Sequence, residues 1–86
     1  DSKLLLGKVV ELCNKKGYRL SNADITILLQ EPKISKYKVK IIEVLSGILN
    51  VDHSKISVKA TTTEGLGFVG REEGVAAHCV VIMEVL

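Results

Sequence analysis

Three consecutive hydroxyls, Thr61, Thr62 and Thr63, stand immediately before the carboxylate of Glu64. A loop punctuated by Gly65, Gly67, Gly70 and Gly74 follows, and it carries Arg71. Hydroxyls and exposed backbone N–H groups can hydrogen-bond phosphate oxygens. A carboxylate beside them can hold Mg²⁺ or Mn²⁺ that bridges phosphates. The pattern thus suits phosphate binding. It suits a structural turn as well, with Glu64 a solvated charge and the glycines only shaping the loop. Taken alone, the residues favour that plainer role.

The flanking elements would have to position these groups. Asp1 or Ser2 can cap a helix, and Leu5, Val9, Leu12 and Cys13 then recur at helical spacing. Lys15, Lys16 and Gly17 make a suitable helix end. From Tyr18 to Gln30 the period changes: Ile25, Ile27 and Leu29 alternate as in a strand, which Pro32 should end. Ser35 is placed to cap a second helix, with Tyr37, Ile41, Leu45 and Ile48 on one face. Asn50 to Ser54 reads as a polar connection. Ile56, Val58 and Ala60 alternate as a second strand that runs into the threonines. Val75 to Leu86 reads as a third strand, apolar on both faces and hence suited to the interior of a sheet covered on both sides. The order helix, strand, helix, strand, strand predicts an α+β fold, a small sandwich of helices on one face of a mixed sheet.

Composition narrows the function classes. The 86 residues, 47% hydrophobic, suffice for one small domain, and a chain of this size often needs oligomerisation to bury enough surface. The net charge of +2 is too small, and the lysines too dispersed, to argue for nucleic acid. No apolar run is long enough to span a membrane. Cys13 and Cys79 form no CxxC pair; they could make one disulfide, but in a chain without secretory features two buried thiols are expected.

The run from Lys59 through Thr61, Thr62, Thr63, Glu64, Gly65, Gly67, Phe68, Gly70 and Arg71 to Gly74 closely resembles the signature of the 2-C-methyl-D-erythritol 2,4-cyclodiphosphate synthase family, in residue types, order and glycine spacing. Asn22 to Thr26, Pro32-Lys33 and Asp1-Ser2 resemble further stretches of that family, so the likeness covers essentially the whole chain. It corresponds to about the C-terminal half of a full-length enzyme. Residues 1–86 are therefore expected to be the C-terminal part of a single synthase domain that assembles as a homotrimer with active sites between subunits.

The resemblance implies a reaction: cyclisation of 4-diphosphocytidyl-2-C-methyl-D-erythritol 2-phosphate by attack of its 2-phosphate on the β-phosphorus, with release of CMP. It implies that Thr62 contacts the phosphates and stabilises the transition state, supported by Thr61 and Thr63. Glu64 would bind Mg²⁺ or Mn²⁺. Leu29, Gln30, Glu31, Pro32, Lys33, Ile34 and Ser35 would form the cytidine pocket. Phe68 and Arg71 would line a central channel of the trimer able to take an isoprenoid diphosphate, with Glu72 and Glu73 as acidic partners for the arginine. The family's Zn²⁺ is held by an Asp-x-His motif and a further His. Here Asp52-His53 suits a solvated loop and His78 a packed position in a strand, so zinc ligands are not expected on this chain, and by itself it should be inactive. The family's occurrence implies bacterial cytoplasm or a plastid stroma, apicoplast or chloroplast. The alternative is a non-catalytic small-ligand-binding α+β module. An RNA-binding module ranks lower, because Phe68 has no aromatic neighbour in sequence with which to stack bases.

Overall fold

The computed structural model describes residues 1–30 and 33–86. Helix α1 spans Ser2–Lys15, and the Asp1 carboxylate caps it by accepting the Lys3 N–H at 2.8 Å. Gly17, at φ 88°, makes the left-handed exit that a side chain would strain. Strand β1 (Tyr18–Leu28) follows at once. A 3₁₀ turn, Ser35–Tyr37, leads into α2 (Lys38–Leu49), which has no side-chain cap. The expected capping role of Ser35 is thus replaced by a place within that turn. Asn50 ends α2 in the left-handed conformation (φ 55°), which Asn tolerates better than most residues. Asp52 caps the next 3₁₀ turn by accepting from the Ser54 N–H at 2.9 Å and hydroxyl at 2.6 Å. These bonds to the ionised form hold the Asp52 carboxyl below its ordinary pKa.

Strand β2 (Ile56–Thr61), the short helix α3 (Gly67–Gly70) and strand β3 (Ala76–Val85) complete the chain. The sheet order is β2-β1-β3, with β2 parallel and β3 antiparallel to β1. Connecting the parallel β1 and β2 requires a crossover, and α2 supplies it. Cross-strand neighbours share a face. Ala23, Ile25 and Ile27 align with Ile56, Val58 and Ala60 on one side and with Val81, Cys79 and Ala77 on the other. Both helices pack on that face and against each other. The buried core is Ala23, Ile56, Val58 and Val69. The opposite face, with Asp24, Thr26, Ser57, Lys59, His78, Val80 and Ile82, has no cover among the described residues, and Asp24 and Lys59 form an ion pair across it.

The architecture matches the α+β expectation, with three corrections. Among the described residues strand β3 is an edge strand, not an interior one, and its Val80 is 69% exposed. His78 and Cys79, expected to be packed, are exposed with it, and Cys13 is half-buried. The strand expected within Tyr18 to Gln30 ends at Leu28; Glu31 and Pro32 lie outside the described residues.

Candidate functional site

The parallel pair β1 and β2 end side by side, since Leu28 is in register with Thr61. One step further the Leu29 N–H donates to the Thr61 carbonyl at 3.0 Å. This single bond joins the two distant stretches in which the sequence suggested chemistry. Ligands favour the carboxyl ends of parallel strands, where the backbone turns away and leaves a crevice. Such a crevice is present: a cleft of about 180 Å³ lined by Leu29, Lys33, Ile34, Ser35, Ala60, Thr61 and Thr62.

The three threonines divide their work. The Thr62 Oγ1 accepts the Glu64 N–H at 3.2 Å, so its own hydroxyl hydrogen stays available to a ligand in the cleft. The Thr63 hydroxyl instead donates to the Leu66 carbonyl at 2.6 Å, and the Leu66 N–H donates back to the Thr63 carbonyl at 3.1 Å. Thr63 thereby closes the turn and does not line the cleft. Between them Glu64 sits at φ 55°, a left-handed conformation that costs a non-glycine residue about 1–2 kcal/mol. Its side chain is exposed, and its backbone N–H ties it to Thr62 at the cleft.

The glycine-rich segment is more ordered than a loop. The buried Val69 anchors α3 beneath it, while Gly70 packs against Gly65 so closely that a Cβ at Gly70 would lie 2.6 Å from the Gly65 Cα and carbonyl oxygen. Phe68 is half exposed, and its ring lies 3.3 Å from where a Gly74 Cβ would stand. The Arg71 Nε donates to both oxygens of Glu73, at 2.8 and 2.9 Å. Glu73 is therefore the acidic partner of the arginine, while Glu72 takes up a further left-handed position in the loop, at φ 60°.

Of the predicted residues, Leu29, Lys33, Ile34, Ser35, Thr61 and Thr62 meet in one cleft. Gln30 is beside it in sequence, with its side-chain oxygen inaccessible and unpartnered among the described residues. Phe68 and Arg71 do not line the cleft. Sequence reasoning missed Ala60, assigned only to the strand pattern. Its small side chain, at the last inward position of β2, leaves the space the cleft occupies; that position and size were the available signal.

Comparison with known proteins decides the relationship. The model of the YgbB family matches residues 1–84. The chain belongs to the YgbB family. It is 60% identical over 77 residues to the "Bifunctional enzyme IspD/IspF" of Campylobacter hominis, covering 90% of this chain and 20% of that protein. It is 47% identical over 83 residues to the 2-C-methyl-D-erythritol 2,4-cyclodiphosphate synthase of Acinetobacter baumannii, covering 96% of this chain and 52% of that one. Among solved structures, IspF of Plasmodium falciparum in complex with CDP superposes with a TM-score of 0.94 at 35% identity, covering 99% of this chain and 55% of that one. The bifunctional IspDF of Campylobacter jejuni superposes with a TM-score of 0.97 at 36% identity, covering all of this chain and 23% of that one. This YgbB-family chain thus spans about half the length of its single-function relatives.

Proposed function

We propose that the chain supplies the nucleotide pocket and the phosphate-binding loop of a 2-C-methyl-D-erythritol 2,4-cyclodiphosphate synthase. The observation that carries this reading is the meeting of Leu29, Lys33, Ile34 and Ser35 with Thr61 and Thr62 in one cleft at the ends of two parallel strands. The solved relative that names CDP as its ligand supports a cytidine diphosphate-linked substrate.

In this reading, Lys33, Ile34 and Ser35 border the base and ribose, and Ala60 leaves room for them. The Thr62 hydroxyl donates to a phosphate oxygen. The substrate's own 2-phosphate attacks its β-phosphorus, one P–O bond forms, the bond to the CMP oxygen breaks, and CMP leaves. Nucleophile and electrophile belong to one molecule, so the residues mainly hold it folded for in-line attack. Donors fixed before the reaction then offset charge building on the phosphoryl oxygens.

The residues fit the two implied metals differently. Mg²⁺ or Mn²⁺ commonly takes one or two protein carboxylates and completes its shell with phosphate oxygens and water, and the exposed Glu64 meets that need. Bound there, the ion would neutralise phosphate charge. Zinc asks for three or four clustered N, S or O donors, and among the described residues no group of three His, Cys, Asp or Glu side chains could hold a metal. In this reading, zinc ligands would be supplied from outside the described residues.

Three copies around an axis would bring the uncovered sheet face, with Val80 and Ile82, into a shared interior and Phe68 and Arg71 toward a central channel. The Arg71–Glu73 pair lowers the repulsion such a ring of arginines would suffer, and an isoprenoid diphosphate there would displace the glutamate. Among the described residues no helix is long and apolar enough to cross a membrane, and bacterial cytoplasm or a plastid stroma would suit the reaction.

Release of CMP tests the proposal. The 86-residue chain alone should release CMP only at background, and adding the segment its relatives carry outside the matched stretch should restore release that Thr62→Val abolishes. Substantial turnover by the chain alone, or restored turnover insensitive to Thr62→Val, would contradict it. The non-catalytic module gains support from one result: CDP binding indifferent to Mg²⁺.

A further inference from the structure

Charge is unevenly spread along this chain. Residues 31–40 hold Lys33, Lys36, Lys38 and Lys40 against Glu31, a net charge of +3. The other residues, with eight basic and nine acidic side chains, carry −1. The chain as a whole is too weakly charged to attract nucleic acid, but this one segment is a concentrated source of positive potential.

The fold sets these lysines in and beside the cleft. Lys33, Ile34 and Ser35 line it, and among the described residues Lys33 is the only charged side chain in the lining. From Ser35 the chain runs through the 3₁₀ turn and into α2. At about 1.5–2 Å of rise per residue, the backbone of Lys36, Lys38 and Lys40 lies within roughly 10 Å of Ser35 along that path. That is about one Debye length at 0.1 M salt, so all three lysines act on a charge entering the cleft without touching it.

Little cancels this field. All four lysines are exposed, and among the described residues only Lys40 has an ion-pair partner, Glu43, at a loose 3.8 Å. The Lys36 Nζ stands 5.9 Å from the centre of the Tyr37 ring, a contact that leaves its charge intact. Helix α2 has no acidic residue in its first turn and no side-chain cap. Helix starts ordinarily favour carboxylates, because the N–H groups there carry partial positive charge. Lysines at this helix start therefore add to the positive potential and oppose the helix's own stability. A local preference broken by successive lysines beside a cleft points to an anion that arrives there.

We propose that Lys36, Lys38 and Lys40 form a cationic approach that draws a nucleoside diphosphate into the cleft, acting on its arrival and not on its retention. This rests on the nucleotide reading of the cleft and adds to it a selectivity by charge: a diphosphate is captured faster than an uncharged nucleoside with the same base. A long-range field raises the association rate. Dissociation is governed by contacts inside the cleft, whose lining does not include these three side chains.

Stopped-flow fluorescence with methylanthraniloyl-labelled CDP measures the two rates separately. Replacing Lys36, Lys38 and Lys40 together by Gln should lower the association rate about tenfold at low salt and change the dissociation rate less than about twofold. The variant and the unsubstituted chain should converge at about 0.5 M NaCl, where the field is screened within a few ångströms. Replacing the same three lysines by Arg keeps the charge and should keep the rate. Replacing Lys3, Lys8 and Lys16 by Gln removes equal charge from α1, whose residues do not line the cleft, and should leave association nearly unchanged. Labelled cytidine, which carries no phosphate, should associate equally with all of these proteins. An association rate of the unsubstituted chain that does not fall with salt would overturn the proposal, whatever the variants do. So would a slowed Arg variant, an α1 variant slowed as much as the α2 one, or a loss of affinity carried by faster dissociation. In each of those cases labelled CDP still binds and the nucleotide reading stands; no binding to the unsubstituted chain would refute that reading and this proposal with it.

Discussion

Replacing Glu64 by glycine should make the chain more stable and its ligand binding worse. Glu64 sits at φ 55°, where the Cβ crowds the backbone and a non-glycine residue loses about 1–2 kcal/mol. Glycine has no such clash, but its greater freedom in the unfolded chain takes back about 0.5–1 kcal/mol. The side chain is exposed and has no described packing to lose, and the backbone bond from the Glu64 N–H to the Thr62 Oγ1 needs no side chain. The balance is a gain of about 0.5–1 kcal/mol, or a melting temperature higher by roughly 2–8 °C in a chain of this length. Glu64→Ala is the control: it removes the same carboxylate but keeps the Cβ and the strain. Thermal unfolding by circular dichroism should place Glu64→Gly clearly above Glu64→Ala, while both lose Mg²⁺-dependent CDP binding equally. If Glu64→Gly melts no higher than Glu64→Ala, the left-handed turn stores no strain and the argument for a carboxylate held there at a cost to stability fails.

Gly70→Ala should cost about 1–3 kcal/mol and weaken CDP binding together, because the new methyl meets the Gly65 backbone and the turn carrying Glu64 must shift; urea unfolding and calorimetry measure both. Thr62→Val and Thr63→Val should separate: the first lowers CDP affinity with little change in stability, and the second costs about 1 kcal/mol of stability by losing the bond to the Leu66 carbonyl. Asp52→Asn should lower the melting temperature at neutral pH by a small amount. The folded-state pKa of Asp52 is depressed, so its contribution is complete above the ordinary carboxylate pKa and fades as pH falls through the lower folded value; melting curves of the two proteins should converge in acid.

Much of the fold could be read from residue patterns because local and tertiary preferences agree there. Asp1 and Gly17 bracket α1 by capping chemistry, and the alternation of Ile25 and Ile27 and of Ile56 and Val58 marks strands whose inward faces meet the helices. The failures have specific causes. Four glycines mask helical propensity around α3, which forms because Val69 is buried, a tertiary fact. Strand β3 reads as interior because its apolar residues fall on both faces, yet among the described residues it stands at the edge. His78 and Cys79 inherit the same error. At the site, the threonine run and the Leu29 to Ser35 stretch were each visible, but their meeting depends on the parallel register of Leu28 with Thr61, which no local pattern encodes. The division of labour between Thr62 and Thr63 likewise depends on which hydroxyl the turn consumes.

The most direct test of the account is calorimetric titration of CDP into the chain, with and without Mg²⁺, for the unsubstituted protein and Glu64→Ala. If the cleft and its loop form a nucleotide diphosphate site with a carboxylate-held metal, Mg²⁺ should tighten CDP binding about tenfold or more in the unsubstituted protein and hardly at all in Glu64→Ala. CDP binding of equal strength in all four titrations, or no binding in any, would contradict it.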